Sequence, residues 1–419
     1  MRALYTVLLY LATPFVLLRL LWRSRALPAY RRRWGERFGF VTPPPAPVAV
    51  WVHAVSVGET LAALPMIRAL VARHGERHVW VTTTTPTGSE RVQALLGEAV
   101  VHTYAPYDLP DVVARFMRRV RPAKIVVMET ELWPNLLRAA AAREIPLFIV
   151  NARLSPRSFR GYSRVPGFAR RTLADCAQIA AQSDADAERF RQLGAARVVT
   201  MGNIKFDQAV PDAQVALGRA LRGRLGERPV WVAASTHEGE DELLLGAHRQ
   251  LLQTHADAVL LLVPRHPQRF DAVARLIERE RFTLQRRSVL GALDGSPAPI
   301  DAQVLLGDSM GEMFAFFAAA DIAFVGGSLV PVGGHNVLEP AALGLPVLFG
   351  PQMHNFIQAR DLLLDAQGGV GVDAANLAET LRALFDDPAR RIALGVAGRA
   401  VVAANRGALQ KLLTAIGEV

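Results

Sequence analysis

Short apolar runs alternate with longer stretches of helical periodicity along most of the chain. VAVWVHA (48–54), HVWVTTT (78–84), AVVHTYA (99–105), AKIVVME (123–129), PLFIVN (146–151), AQIAAQ (177–182) and RVVTMG (197–202) are nearly continuous in apolar residues. That pattern predicts strands buried on both faces rather than strands with one wet side. The rhythm breaks near 205–228 and resumes with PVWVAAS (229–235), AVLLLVP (258–264), QVLLGD (303–308), DIAFVGG (321–327) and LPVLFG (345–350). Strand–helix alternation of this kind predicts α/β architecture with parallel sheets covered by helices. Two doubly wound, Rossmann-like domains of similar size facing each other across a cleft are expected, with ligands at the carboxyl ends of the strands. There is no internal sequence repeat. SPAP (296–299) marks a loop, and the polar, alanine-rich stretch from about Pro388 predicts a last helix that packs back on the first domain. The expected boundaries are 1–24, 25–207, 208–395 and 396–419.

The N-terminal stretch departs from this rhythm. Ala3–Leu21, ALYTVLLYLATPFVLLRLL, is almost uncharged over about the length that spans a bilayer core. Pro14 and Arg19 weaken it, although arginine can snorkel to the interface. No small-x-small cleavage site follows, which disfavours a signal peptide. Arg23, Arg25, Arg31, Arg32, Arg33 and Arg37 follow the stretch and only Arg2 precedes it, so charge bias places the body of the protein in the cytoplasm. Trp22 and Trp34 suit an interface. The expectation is a membrane anchor, either a spanning helix or an amphipathic helix lying on the surface.

Composition narrows the picture. The chain has 419 residues, enough for two cores, and 51% of them are apolar, too few for a bundle of membrane spans. One cysteine, Cys176, excludes an internal disulfide and suits the cytoplasm. The formal charge of +10 points to a phosphate-bearing partner.

Candidate chemistry clusters at the strand ends. In HAVSVGETLAALP (53–65), Gly58 is expected to permit a tight turn and Glu59 to open a helix whose dipole favours an ionised general base; capping is the plain alternative. Pro65 is expected to kink that helix or delay its start. In METELWPN (128–135), Glu129 and Glu131 share a side if the chain is extended, and Thr130 or Glu131 equally suits a cap. TTTTPTGSERV (82–92) suits an anion on backbone N–H groups or a cap by Thr87 or Ser89. RLSPRSFRGYSRVPGFARR (153–171) interleaves arginines with Phe159, Tyr162 and Phe168, as a basic loop or a patch gripping a phosphorylated lipid would. Lys205 in GNIKFD stands at the end of the first domain.

Pro264 and Arg265 in VPRHPQRF end a very apolar strand, and arginine there suits a phosphate or carboxylate. Met310, Gly311 and Glu312 in GDSMGEMF form a loop before a helix. VGGSLVPVGGHNVLEPAALGLPVLFGP (325–351) pairs Gly326–Gly327 and Gly333–Gly334 with a helix start at Asn336, Val337, Leu338 and Glu339. It reads as a phosphate cradle, with Glu339 able to accept from ribose hydroxyls; Asn336 and Glu339 also have capping-box spacing. His53, His237, His266, His335 and His354 are scattered at strand ends, STHEGE (235–240) lacks the second histidine of a zinc helix, and Asp184 and Asp186 read as a cap, so no metal site is expected.

Taken in order, PAYRRRWGERFG, SVGET, TPTGSERV, METELWPN, NARLS, KFD, STHEGE, VPRHPQRF, GDSMGE and GGHNVLEPA resemble the 3-deoxy-D-manno-octulosonic acid (Kdo) transferases of lipid A assembly over nearly the whole chain. The resemblance implies a GT-B glycosyltransferase with an acceptor-binding first domain and a CMP-Kdo-binding second domain. It implies an inverting transfer of Kdo from CMP-Kdo to the 6'-hydroxyl of a tetraacylated, bisphosphorylated lipid A precursor (lipid IVA), on the cytoplasmic side of the inner membrane. It implies no metal and no other cofactor, and no nucleic-acid recognition module accompanies the basic segment 153–171. Glu59 matches the family's catalytic base, and Glu129 and Lys205 match residues that support the transition state. Pro264 and Arg265, Met310 through Glu312, and Asn336 through Glu339 match CMP-binding segments. The rival readings are another GT-B enzyme using a UDP-sugar, as transferase or epimerase, and a membrane-tethered scaffold without catalysis.

Overall fold

The computed structural model describes residues 1–25, 27–291 and 299–418; most of the expected SPAP loop lies outside the described residues. The chain forms two compact units, Met1–Asp207 with Arg406–Val419, and Gln208–Asn405.

In the first unit the strands are β1 (Val50–His53), β2 (Val79–Thr83), β3 (Val101–Tyr104), β4 (Lys124–Met128), β5 (Leu147–Ala152), β6 (Gln178–Ala181) and β7 (Val198–Thr200). They form one parallel sheet in the order β3-β2-β1-β4-β5-β6-β7. The apolar runs are continuous because each strand feeds two cores. Along β1, Trp51 packs with Trp80, Phe116 and Ile125 on one face, while Val50 and Val52 pack with Met66, Ile67 and Val79 on the other. Each such side chain, wholly buried, contributes about 1.5–3 kcal/mol.

The second unit repeats the logic with β8 (Val230–Thr236), β9 (Val259–Pro264), β10 (Leu284–Arg286), β11 (Val304–Leu306), β12 (Ile322–Val325), β13 (Val347–Phe349) and β14 (Gly369–Gly371). Their order is β10-β11-β9-β8-β12-β13-β14, again parallel. In β8, Trp231 and Ala233 face one core and Val230, Val232 and Ala234 the other. Two α/β units with doubly wound parallel sheets are the GT-B type of fold.

Two expectations need correction here. The helix Val57–His74 starts directly after β1 and runs through Pro65, so Pro65 does not delay it; the carbonyl that Pro65 leaves without a donor belongs to the partly exposed Leu61. The helix Pro388–Ala404 runs unbroken past the expected boundary at 395/396. The segment that joins the first unit begins at Arg406, where the Asp207 carboxylate accepts the Gly407 and Leu409 N–H groups at 2.6 and 2.5 Å and Leu412 and Ile416 enter the core. The N-terminal apolar stretch is one helix, α1 (Arg2–Arg23).

Candidate active site

In a doubly wound sheet the loops diverge where the winding reverses, and ligands bind at that point. In the first unit the reversal lies between the adjacent strands β1 and β4. Glu59 follows β1 and Glu129 follows β4, so the topology brings these two carboxylates to one place.

Gly58 is helical and makes no turn, which corrects the expectation; Ser56 stops the strand by capping the helix. Ser56 Oγ accepts the Glu59 N–H at 3.2 Å and donates to Glu59 Oε1 at 2.9 Å, and the Val55 N–H donates to Oε2 at 2.8 Å. Glu59 thus serves as a capping-box partner and has its carboxylate fixed in place. It is only 8% exposed. Burial pushes its carboxyl up to about 7, with the Glu129 and Glu131 charges adding, against the opposing bonds from Val55 and Ser56. The helix dipole was expected to hold this group ionised; desolvation outweighs it and leaves the carboxyl poised near neutrality.

Glu129 sits at φ +56°, outside the extended region, so it does not share a strand face with Glu131 as expected. A non-glycine residue there costs about 1–3 kcal/mol and is typical of functional turns. Neither Thr130 nor Glu131 caps the next helix, whose N-cap is Trp133; Glu131 instead accepts the Trp133 indole N–H at 2.8 Å. The helix after β2 is capped by Thr85, with Pro86 in its first turn, not by Thr87 or Ser89. Asp186 does act in a cap, with Ser183.

Lys205 lies in the 3-10 turn Ile204–Asp207, between Ile204 and Phe206, which are both 1% exposed. The turn packs against the helix that carries Glu59. The Ile204 N–H donates to Asn151 Oδ1 at 3.2 Å. Asn151, buried at the end of β5 with φ +51°, positions this turn and was missed by residue-by-residue reading; its signal was an asparagine, which tolerates this backbone better than most residues with a side chain, at a strand end.

In the second unit the winding reverses between β8 and β12. Arg265 follows β9, its N–H donating to the Thr236 carbonyl at 3.0 Å. Its charge acts on Glu339, whose carboxyl is raised by burial and lowered by Gln208, Asn336 and Arg265. Asn336 Nδ2 donates to Gln208 Oε1 at 2.9 Å and to Glu339 Oε1 at 3.1 Å. The helix here is only Leu338–Leu343, capped at Val337, so Asn336 holds the turn just before it by accepting the Leu338 N–H. Gly311 has φ +83° and Glu312 is the N-cap of Met313–Ala319, its carboxylate held by Arg287 at 2.7 Å; Met310 is 57% exposed.

The two glycine turns do not leave their own amides open to an anion. The wholly buried Glu240 carboxylate already accepts the N–H groups of His237, Gly327, Ser328 and Leu329, at 2.9, 2.6, 3.0 and 2.9 Å. The Gly333 and Gly334 N–H groups donate to the Gly327 carbonyl. Glu240 therefore ties the β8 exit to the β12 exit and fixes the loop by internal bonds. Three of the five histidines expected to be scattered come together, while His53 lies on β1 of the first unit. His237 and His335 are joined Nε2 to Nε2 at 2.7 Å, and the His237 and His266 rings lie 5.3 Å apart. Burial, then Arg265 and the neighbouring imidazoles, pushes His335 down to about 3. Among the described residues no group of side chains is arranged to hold a metal ion.

Residues 32–208 match the family model described as 3-Deoxy-D-manno-octulosonic-acid transferase (kdotransferase). The 3-deoxy-D-manno-octulosonic acid transferase of Haemophilus influenzae is 43% identical over 98% of this chain and 97% of its own length. That of Bordetella pertussis is 40% identical over 99% and 98%. Among solved structures, UDP-GlcNAc 2-epimerase from Neisseria meningitidis bound to UDP-GlcNAc covers 89% of this chain and all of its own, at TM-score 0.57 and 15% identity, a likeness of fold alone. With identity of this order over its full length, the chain belongs to the Kdo transferases, glycosyltransferases of lipopolysaccharide biosynthesis.

Proposed function

We propose that the protein moves Kdo from CMP-Kdo to the 6'-hydroxyl of lipid IVA with inversion and without a metal, at the cytoplasmic face of the inner membrane. Glu59 carries this reading. It stands at the winding reversal with a carboxyl poised near pH 7, which suits a general base. Glu59 takes the proton of the acceptor hydroxyl as that oxygen bonds to the anomeric carbon of Kdo. The bond from that carbon to the CMP phosphate oxygen breaks on the opposite side, and its electron pair leaves with CMP. Arg265 offsets the charge on the departing phosphate, with Pro264 shaping the same turn. Glu339 and Asn336, with Val337 and Leu338, hold the nucleoside, and the turn at Met310, Gly311 and Glu312 completes the CMP site. Lys205 and Glu129 act on the developing charge at the Kdo centre, and α1 with the arginine-rich segment 153–171 keeps the enzyme at the lipid.

The test is mass spectrometry of lipid IVA after incubation with CMP-Kdo and purified protein. Gain of Kdo by wild type and an about 10²–10⁴-fold slower gain by Glu59→Gln are expected; Gln keeps one oxygen for Ser56 or Val55, which Ala does not. No gain by wild type, or stronger binding of UDP than of CMP, refutes the reading in favour of a UDP-sugar enzyme.

A further inference from the structure

By length and apolarity α1 qualifies as a membrane span. Its contacts argue otherwise. Tyr5 donates its hydroxyl to Asp108 Oδ2 at 3.0 Å, Thr6 donates to Asn135 Oδ1 at 3.2 Å, and Tyr10 donates to Asp111 Oδ1 at 2.5 Å. Asp108 is no casual surface partner. It is buried, and its carboxylate also accepts the Asn135 and Leu136 N–H groups at 3.1 and 2.7 Å, fixing the start of the helix Pro134–Ala141. The covered positions continue along one face through Leu9, Thr13, Leu17 and Leu20 to the buried Ser24. On the opposite face Leu4, Leu8, Leu11, Phe15, Leu18 and Trp22 recur at helical spacing and are 55–72% exposed. A helix of this length extends about 33 Å. Docked along that length, it cannot cross a bilayer without drawing Asp108, Asp111 and Asn135 into hydrocarbon, where charges and unpaired amides are strongly disfavoured.

We propose that α1 lies in the plane of an anionic bilayer, its polar stripe docked on the first unit and its apolar stripe sunk among the acyl chains. This rests on the membrane reading above and adds the orientation. Charge complementarity selects the occupant. The Tyr5 ring lies 6.1 Å from that of Phe168, which places the basic segment Pro156–Ala174 beside α1. Arg157, Arg160, Arg164 and Arg170 of that segment are exposed, as are Arg19 and Arg25 at the end of α1. Apolar side chains flanked by exposed guanidinium groups match acyl chains beneath anionic headgroups.

The test uses the full chain in a Cys176→Ala background, with single cysteines at Arg2→Cys or at the exposed Val396→Cys. Intact spheroplasts and lysed cells are treated with a membrane-impermeant maleimide, and the membrane and soluble fractions are assayed for the protein. An in-plane α1 gives membrane-bound protein with both positions labelled only after lysis. Labelling of position 2 from outside, with position 396 protected, means that α1 spans; this overturns the proposal while the membrane reading stands. Labelling of both from outside keeps the helix in plane but overturns the cytoplasmic placement. Recovery in the soluble fraction, as a dimer covering its own apolar face or otherwise, overturns the proposal and the membrane reading together.

Discussion

Glu59→Gln separates what the carboxylate does for the reaction from what it costs the fold. The carboxyl has an ordinary value of 4.5 when solvated and is pushed up to about 7 in the native protein. The folded state therefore holds this proton more tightly than the unfolded chain. Relative to an uncharged residue, the native state bears no penalty below about pH 4.5; the penalty grows as pH rises and levels off above about 7. The gap between the two values corresponds to about 3 kcal/mol in all, and to about 2.5 kcal/mol between pH 5 and pH 8. Glutamine has nearly the same shape, keeps an oxygen for Ser56 or Val55, and carries no charge. The stability of Glu59→Gln minus that of wild type should thus rise by about 2.5 kcal/mol from pH 5 to pH 8, read by urea unfolding followed by tryptophan fluorescence. Over the same range wild-type kcat/KM should fall about tenfold per unit below pH 7, while the variant loses about 10²–10⁴-fold at pH 8. Glu129→Gln, which removes a charge that raises Glu59, should move the acid limb to lower pH. A pH-independent stability difference together with an acid limb near 4.5 would refute the assignment, because burial would then not be tuning the base.

Two further outcomes follow from packing and polar satisfaction. Glu240→Ala removes the acceptor of four N–H groups and should destabilise the second unit by about 3 kcal/mol or more, with loss of CMP binding, checked by thermal melting and nucleotide titration. Gly395→Ala places a methyl group on the Gly344 carbonyl and should cost about 1–3 kcal/mol, whereas Gly246→Ala, in the helix Asp241–Leu251 with open space around it, should stabilise by about 0.5–1 kcal/mol; urea unfolding of both variants reads the opposite signs.

The strands were legible because a doubly covered parallel sheet forces a continuous apolar run, and each run expected from the pattern overlaps an observed strand. The two edge strands missed are the instructive cases. β10, LQR, is half-buried and β14, GVG, has a single apolar side chain, so neither needs an apolar run. Caps were less legible than strands. Thr85, Ser183 and Ser56 are all plausible N-caps by composition, but TTTTPTGSE offers several hydroxyls in a row, and only the chain path after β2 selects Thr85. The extended geometry assumed for Glu129 failed for a related reason: the chain turns sharply at the strand end through a left-handed residue that no periodicity announces.

The glycine-rich loop of the second unit shows where sequence reading reaches its limit. Glycine pairs before a helix say that backbone amides are accessible; they do not say which acceptor takes them. Here a carboxylate from β8's exit takes the amides at 327, 328 and 329, so the rigid loop cannot also cradle a phosphate through those groups. Side chains are also at hand there, with Arg265 beside three imidazoles. Burial lowers His237, His266 and His335, and the Arg265 charge adds to each, so near neutral pH they remain uncharged. A neutral imidazole donates one hydrogen bond and accepts one, and His237 and His335 use one of these on each other. The cluster therefore sets oriented neutral imidazoles beside the cationic Arg265, with Arg269 also close to His237 and His266. On the function proposed above, a charge-assisted contact from Arg265, backed by neutral donors, would suit the monoanionic phosphodiester of a CMP-sugar.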